Sequence, residues 1–259
     1  MSQLWERYQR QIIFPPFGEE GQRKLLSKKV LLAGCGALGS GIAISLVRTG
    51  IKELIIVDGD RLELSNLHRQ FLYDEDDLKK EQAKSMIAGE KLSRMNSQVK
   101  ITPVPERLSA QNIEKLASGV DLIMDGTDNL ETRYLLNDYA VKHQIPYIFG
   151  GVVGASGMLM SIFPKKTACL RCLFPHPQQS LKTPGTAQLG VLNPAPLLLS
   201  ALEVIEAIKI FLGVKNPDSV LLQFDLWELN FTQQKIKRNP DCLCCQKEVF
   251  EFLSEKNED

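Results

Sequence analysis

Apolar and polar positions along the chain fall into two alternating kinds of block. Short apolar runs, ELIIVD (53–58), QVKITPV (98–104), DLIMD (121–125) and PYIFG (146–150), are separated by helix-length stretches near 81–96, 110–117 and 129–142. An earlier run, Val30 to Val47, opens on a β-branched residue, crowds four glycines into its first half and continues apolar, which predicts a buried strand, a tight turn and a helix. This βαβα order predicts an α/β fold with a mostly parallel sheet and helices on both faces. After Gly150 the pattern changes. GGVVGASG leads into MLMSIF (158–163), which predicts an antiparallel strand, and Phe174–Pro196 carries five prolines among polar residues, which predicts a long surface loop. From Pro196 to Leu212, Glu203, Glu206 and Lys209 recur at three-residue steps against apolar residues, so an amphipathic helix is expected there. The polar tail beyond Phe252 is expected to fray.

Composition narrows the class. The chain has 259 residues, 44% of them hydrophobic, and its 31 basic residues balance 31 acidic ones, so no nucleic-acid partner is advertised. The 18 uncharged residues from Val30 to Val47 approach the length of a membrane span, but their glycines favour the strand–turn–helix reading, and no membrane association is expected. MSQLWERYQRQ is charged and lacks the apolar core of a signal peptide. Six cysteines are too sparse for a disulfide scaffold. Four of them form two CxxC pairs, Cys169 with Cys172 and Cys242 with Cys245, which suit a tetrahedral Cys₄ zinc site in a reducing, cytoplasmic setting. Cys244 is an alternative ligand, and Cys245 is preferred because it restores the CxxC spacing.

Gly34, Gly36 and Gly39 spell GxGxxG after the first strand, and Asp58 ends the next strand about 20 residues on, as a nucleotide-binding fingerprint requires. The turn brings backbone N–H groups and a helix N-terminus to phosphate, while Asp58 can accept hydrogen bonds from a ribose. NAD, FAD, AdoMet and ATP can all use such a turn. Asn66 and Arg69 lie in a polar loop beyond a strand end, and Asp128 and Asn129 lie in DGTDN where another strand meets a helix. Asp128 could serve as a helix N-cap; beside a phosphate site it could instead hold Mg²⁺ while Arg69 and a nearby lysine neutralise phosphate oxygens.

Taken together, RYQRQ (7–11), GCGALG (34–39), DGDRLELSNLHRQ (58–70), DGTDN (125–129), CLRC (169–172) and NPDCLCC (239–245) resemble the MoeB/ThiF/HesA family, prokaryotic relatives of ubiquitin-activating enzymes. The resemblance spans nearly the whole chain. It implies a Rossmann-like sheet, an antiparallel C-terminal extension clipped by the zinc site, and one adenylation domain over 1–259: a helical arm (1–29), a nucleotide-binding core (30–150) and a carrier-binding, zinc-clipped part (151–259). The implied activity is ATP- and Mg²⁺-dependent adenylation of the C-terminal Gly-Gly carboxylate of a small ubiquitin-like sulfur-carrier protein by a homodimer. Position by position, Asp58 would bind ribose, Asn66 and Arg69 the phosphates, and Asp128 the Mg²⁺ and adenylate. Arg10 would reach across the dimer as a finger. Lys84 matches the family lysine by its spacing to Arg94-Met95-Asn96, with Lys80 the competing position.

Family members often carry a cysteine ahead of a glycine-led segment; the aligned residue here is Thr186, and Asn193 replaces a glycine. The expected chemistry therefore stops at the acyl-adenylate, which passes to a separate sulfurtransferase. Cys35, within the glycine turn, is read as a packing residue. Tyr8, Phe14, Phe17 and Trp227 are read as core or dimer-interface anchors. Rival readings are adenylation of a peptide or tRNA-linked carboxylate, an NAD-dependent oxidoreductase, and an inactive carrier-binding scaffold.

Overall fold

The computed structural model describes residues 3–177, 189–214 and 217–254. Eight strands form one sheet: β1 (Lys29–Ala33), β2 (Glu53–Val57), β3 (Lys100–Val104), β4 (Leu122–Asp125), β5 (Tyr147–Val153), β6 (Ser156–Ile162), β7 (Val220–Asp225) and β8 (Asn230–Lys235). Their spatial order is β3-β2-β1-β4-β5-β6-β7-β8, parallel from β3 through β5 and antiparallel from β5 through β8. The expected strand at 158–163 is β6, joined to β5 by a two-residue turn whose Gly154 takes φ +59°. The uninterrupted apolar runs of β1, β2 and β4 have a simple cause: every residue but Lys29 is buried, because helices cover both faces.

On one face lie α3 (Ala37–Thr49), α4 (Lys84–Met95) and α8 (Pro194–Leu212), packing Ile42, Leu46, Ile87, Leu199 and Ala207 onto Val30, Leu32 and Leu54. On the other lie α5 (Ile113–Leu116), α6 (Leu130–His143) and α7 (Leu170–Leu173), with Tyr134, Leu136 and Tyr139 against Leu31, Ile123 and Tyr147. The N-terminal α1 (Gln3–Ile12) and α2 (Gly18–Leu25) dock by Tyr8 and Phe17, both buried. The Tyr8 hydroxyl accepts a 2.8 Å hydrogen bond from Asn96 Nδ2, tying the arm to the end of α4. Phe14 and Trp227 are instead 59% and 76% exposed, so only two of the four expected aromatic anchors are core.

About half of the expected proline-rich loop, residues 178–188, lies outside the described residues, and the helix after it begins two residues earlier than expected, at Pro194. Its polar stripe is a correction. Glu203 and Glu206 do not face solvent: Glu203 is fully buried against Gly150 of β5, and Glu206 accepts from the Ser161 hydroxyl at 2.9 Å while pairing with Lys209. The outward face carries Leu197 and Ile205, each nearly half exposed. The inversion is possible because Gly150 has no side chain, leaving a recess for a carboxyl between helix and sheet.

Candidate active site

The register of the central strands brings three motifs to one edge. Ala33 is level with Val57 on one side and Asp125 on the other, so Gly34, Asp58 and Gly126 leave the sheet together. This carboxyl edge, where the chain order reverses between β1 and β4, is where open α/β sheets bind ligands. Gly34 takes φ +83°, a conformation side chains rarely adopt, and its N–H donates to Val57 O at 2.8 Å. Gly126 packs directly on the turn: a Cβ there would meet Gly34 O at 2.5 Å and Gly39 Cα at 2.7 Å. A Cβ on Gly36 would meet nothing nearer than the Gln70 amide at 3.6 Å, so the second glycine opens onto the cleft at the N-terminus of α3. The third, Gly39, lies against Gly34 O, which is what close helix–strand packing requires.

Asp58 is held in place by two backbone donors, Cys35 N–H at 2.7 Å and Asp60 N–H at 2.9 Å. Burial raises its pKa, opposed by the Cys35 bond and the Lys84 charge. The same burial pushes the Cys35 thiol up to about 12, so this cysteine is a packing residue whose backbone ties the turn to Asp58. Lys84 lies in the cleft with Nζ 3.8 Å from Asp60, whereas Lys80 is engaged by Asp77 and Glu90 outside it. The geometry therefore separates the two lysine candidates. Asn66 is buried and caps its own 3₁₀ turn, accepting from Glu63 N–H at 3.2 Å; Arg69 donates to Ser65 O at 2.7 Å. Both line the cleft.

Asp128 is not the N-cap of α6. Asn129 is, accepting from Thr132 N–H at 2.8 Å, which leaves the Asp128 carboxylate on the cleft wall without a side-chain partner among the described residues. Two residues at this edge escaped the sequence reading. Arg133 donates from Nε to Asp125 at 3.0 Å and from Nη2 to Thr127 O at 2.6 Å and Gly150 O at 3.0 Å, pinning the loop that carries Asp128. Gly126 is the other. A helix-face arginine four positions beyond an N-cap was a weak signal, while the close approach of Gly126 depends on two distant segments. Burial raises the Asp125 pKa, opposed chiefly by Arg133, and Tyr147 Oη adds a donor at 3.1 Å. Arg10 sits exposed on α1 and is not among the residues lining the cleft.

On the far side of α6, Cys169, Cys172, Cys242 and Cys245 bring four sulfurs within 4.8 Å of one another. Neighbouring pairs are 3.5 to 4.0 Å apart. Sulfurs at ~2.3 Å from a tetrahedral zinc are separated by about 3.8 Å, so the donor set fits that ion. Cys244 is excluded from the cluster; it is buried and accepts from Asn137 Nδ2 at 3.3 Å.

These motifs run in order along one chain, and residues 8–244 match the ThiF family. The chain belongs to the ThiF family. Among relatives in it, the sulfur carrier protein ThiS adenylyltransferase of Bacillus subtilis (strain 168) is 38% identical over 254 residues, covering 97% of this chain and 75% of that protein. The sulfur carrier protein adenylyltransferase of Thermus thermophilus is 36% identical, covering 94% of this chain and 91% of that protein. Among solved structures, Escherichia coli MccB with ATP superposes with a TM-score of 0.78 at 25% identity, covering 92% of this chain and 73% of that one. Among the described residues, no helix is long and apolar enough to cross a membrane.

Proposed function

We infer that this chain is an ATP-dependent adenylyltransferase that activates the C-terminal Gly-Gly carboxylate of a small ubiquitin-like sulfur-carrier protein. The observation that carries this reading is the convergence of the glycine turn, Asp58, Arg69, Lys84 and Asp128 on one cleft at the carboxyl edge of the sheet. The named activities of the bacterial relatives support it.

The chemistry is an in-line displacement. A carrier carboxylate oxygen forms a bond to the α-phosphorus of ATP while the bond to pyrophosphate breaks, giving an acyl-adenylate. The carboxylate is already ionised at neutral pH, so no general base is needed. The barrier is one of converging negative charge, and fixed donors aimed at those oxygens lower it. In this reading, amides of the Gly34–Gly39 turn, Asn66, Arg69 and Lys84 bind and neutralise the phosphates, Asp58 receives the ribose, and Asn129 helps hold the adenylate loop. Bound magnesium would supply further charge neutralisation, and the unpaired carboxylate of Asp128 suits it as an oxygen ligand. Arg10 would complete the site from a second subunit; the apolar outward face of α8 and the exposed Ile13 and Phe14 support a homodimer. Zinc in the Cys₄ cluster would be structural. A separate sulfurtransferase would consume the acyl-adenylate, in keeping with threonine at position 186.

ATP–pyrophosphate exchange tests the reading. With Bacillus subtilis ThiS and other Gly-Gly-ended carriers as probes, exchange is expected only when a carrier is present. Exchange driven by a peptide or tRNA instead, or tight binding of a nicotinamide nucleotide without exchange, would overturn it.

A further inference from the structure

The cleft is larger than a nucleotide needs. Its volume of about 1630 Å³ exceeds the ~300–1,000 Å³ of ordinary small-ligand sites, so a second occupant has room beside the nucleotide. The two ends of the cleft differ in character. The end described above is rich in charge and backbone amides. The other is floored by Phe149, Met158, Phe174 and Phe252, with Glu251 at its rim.

That apolar end is built on a continuous set of ring contacts leading away from the phosphate edge. The Arg133 guanidinium lies 5.3 Å over the Phe149 ring, and Phe149 meets Phe174 edge-on at 6.0 Å. Tyr134 donates to Phe174 O at 3.2 Å and stacks on Phe252 at 4.9 Å. Phe252 belongs to a short strap at the end of the described chain, the 3₁₀ turn Glu251–Leu253, and three contacts hold it. Its N–H donates to Asp138 at 3.1 Å, Arg171 lies over its ring, and Arg171 pairs with Glu251 at 2.8 Å. Arg171 is itself buried, between cluster cysteines 169 and 172. The strap is thus fixed from the cysteine cluster side, and its own charge at the rim, Glu251, is already paired. An apolar pocket with its rim charge neutralised suits an aliphatic or aromatic side chain and penalises a polar one.

Resting on the adenylation reading, we propose that Phe252 is a specificity-determining residue, the wall of a pocket that receives an apolar side chain of the carrier tail just upstream of its Gly-Gly end. The strap and the Phe149–Phe174 floor grip that side chain while the terminal carboxylate reaches the α-phosphorus at the charged end. Continuity of the two ends in one cleft singles out the tail as the occupant.

The test uses the full chain and Bacillus subtilis ThiS whose last three residues are replaced by Leu-Gly-Gly, Phe-Gly-Gly or Ser-Gly-Gly, read by ATP–pyrophosphate exchange. The wild type is expected to show a KM about tenfold lower for the Leu tail than for the Ser tail. Phe252→Ala should collapse that ratio to about twofold or less, with the KM for ATP unchanged. Phe252→Leu, which keeps an apolar wall and the fold, should move the preference toward the larger Phe tail. If either variant lowers the melting temperature or kcat equally for all tails and keeps the wild-type preference, Phe252 is only a structural residue and the proposal fails. If the wild type shows no exchange with any tail, the adenylation reading itself falls, and this proposal with it.

Discussion

Replacing Arg133 with methionine removes the cation from a buried pair. Asp125 is fully buried and the Arg133 side chain is 12% exposed, so solvent cannot take over as partner. Breaking such a pair costs ~3–5 kcal/mol, because one charge is left uncompensated. Asp125 keeps three donors, Thr127 N–H at 2.9 Å, Thr127 Oγ1 at 2.7 Å and Tyr147 Oη at 3.1 Å, which places the loss near the low end, about 3 kcal/mol. For a chain of this size that is a fall in Tm of roughly 6–12 °C. The loss should depend on pH in a defined direction. Burial already raises the Asp125 pKa and Arg133 opposes the rise; without the arginine the folded carboxyl holds its proton to still higher pH. A folded-state pKa above the unfolded value of ~3.9 means that stability declines as pH climbs from that value through the folded one, so the deficit of the variant is small in acid and full at neutral pH. Calorimetric melts of parent, Arg133→Met and Arg133→Met/Asp125→Asn between pH 5 and 8 measure this. The double variant should recover part of the stability at pH 7. A single variant within about 1 kcal/mol of the parent at pH 7, with no dependence on pH, would refute the view that this pair anchors the Asp128 loop.

Three further outcomes follow from the site. Arg69→Ala and Asp128→Ala should each lower carrier-dependent exchange by ~10²–10³ while leaving the melting temperature near that of the parent, and wild-type exchange in either would remove its assigned role. Cys172→Ser should release bound metal and lower Tm, with metal content measured on freshly purified protein; a parent that holds no zinc would contradict the cluster assignment. Glu203 is buried with both carboxyl oxygens unpartnered, and burial, reinforced by the charge of Asp125, raises its pKa well above the ordinary range. Stability is therefore lost as pH rises beyond the unfolded value of ~4.3, by up to about 1.4 kcal/mol per pH unit. Glu203→Gln should raise Tm at pH 7–8 and flatten that slope, and an unchanged Tm–pH profile would refute the assignment.

The centre of the parallel half was legible because β1, β2 and β4 are buried on both faces, so apolar runs bounded by glycine and aspartate mark them directly. The cysteine pairs and the glycine turn were legible because each ligand set is local in sequence. What the pattern misread was α8, where periodicity reports a polar stripe but not which way it faces; only the recess at Gly150 turns Glu203 inward. Arg133, Gly126 and the Phe252 strap were invisible for a related reason. Their roles arise where segments far apart in the chain meet, as when residue 252 packs on residue 134, and no single-segment periodicity encodes such a meeting. The difference between Lys80 and Lys84 was of the same kind: only the fold shows that Lys84 lines the cleft while Lys80 pairs with Asp77 and Glu90 outside it.

The most direct test of the central claim is to incubate the protein with ATP, Mg²⁺ and a Gly-Gly-ended carrier and weigh the carrier by mass spectrometry. The account predicts a gain of one AMP on the carrier, reversed by added pyrophosphate and absent when the terminal glycine is removed. A carrier that never gains AMP, or AMP formed at the same rate without any carrier, would contradict it.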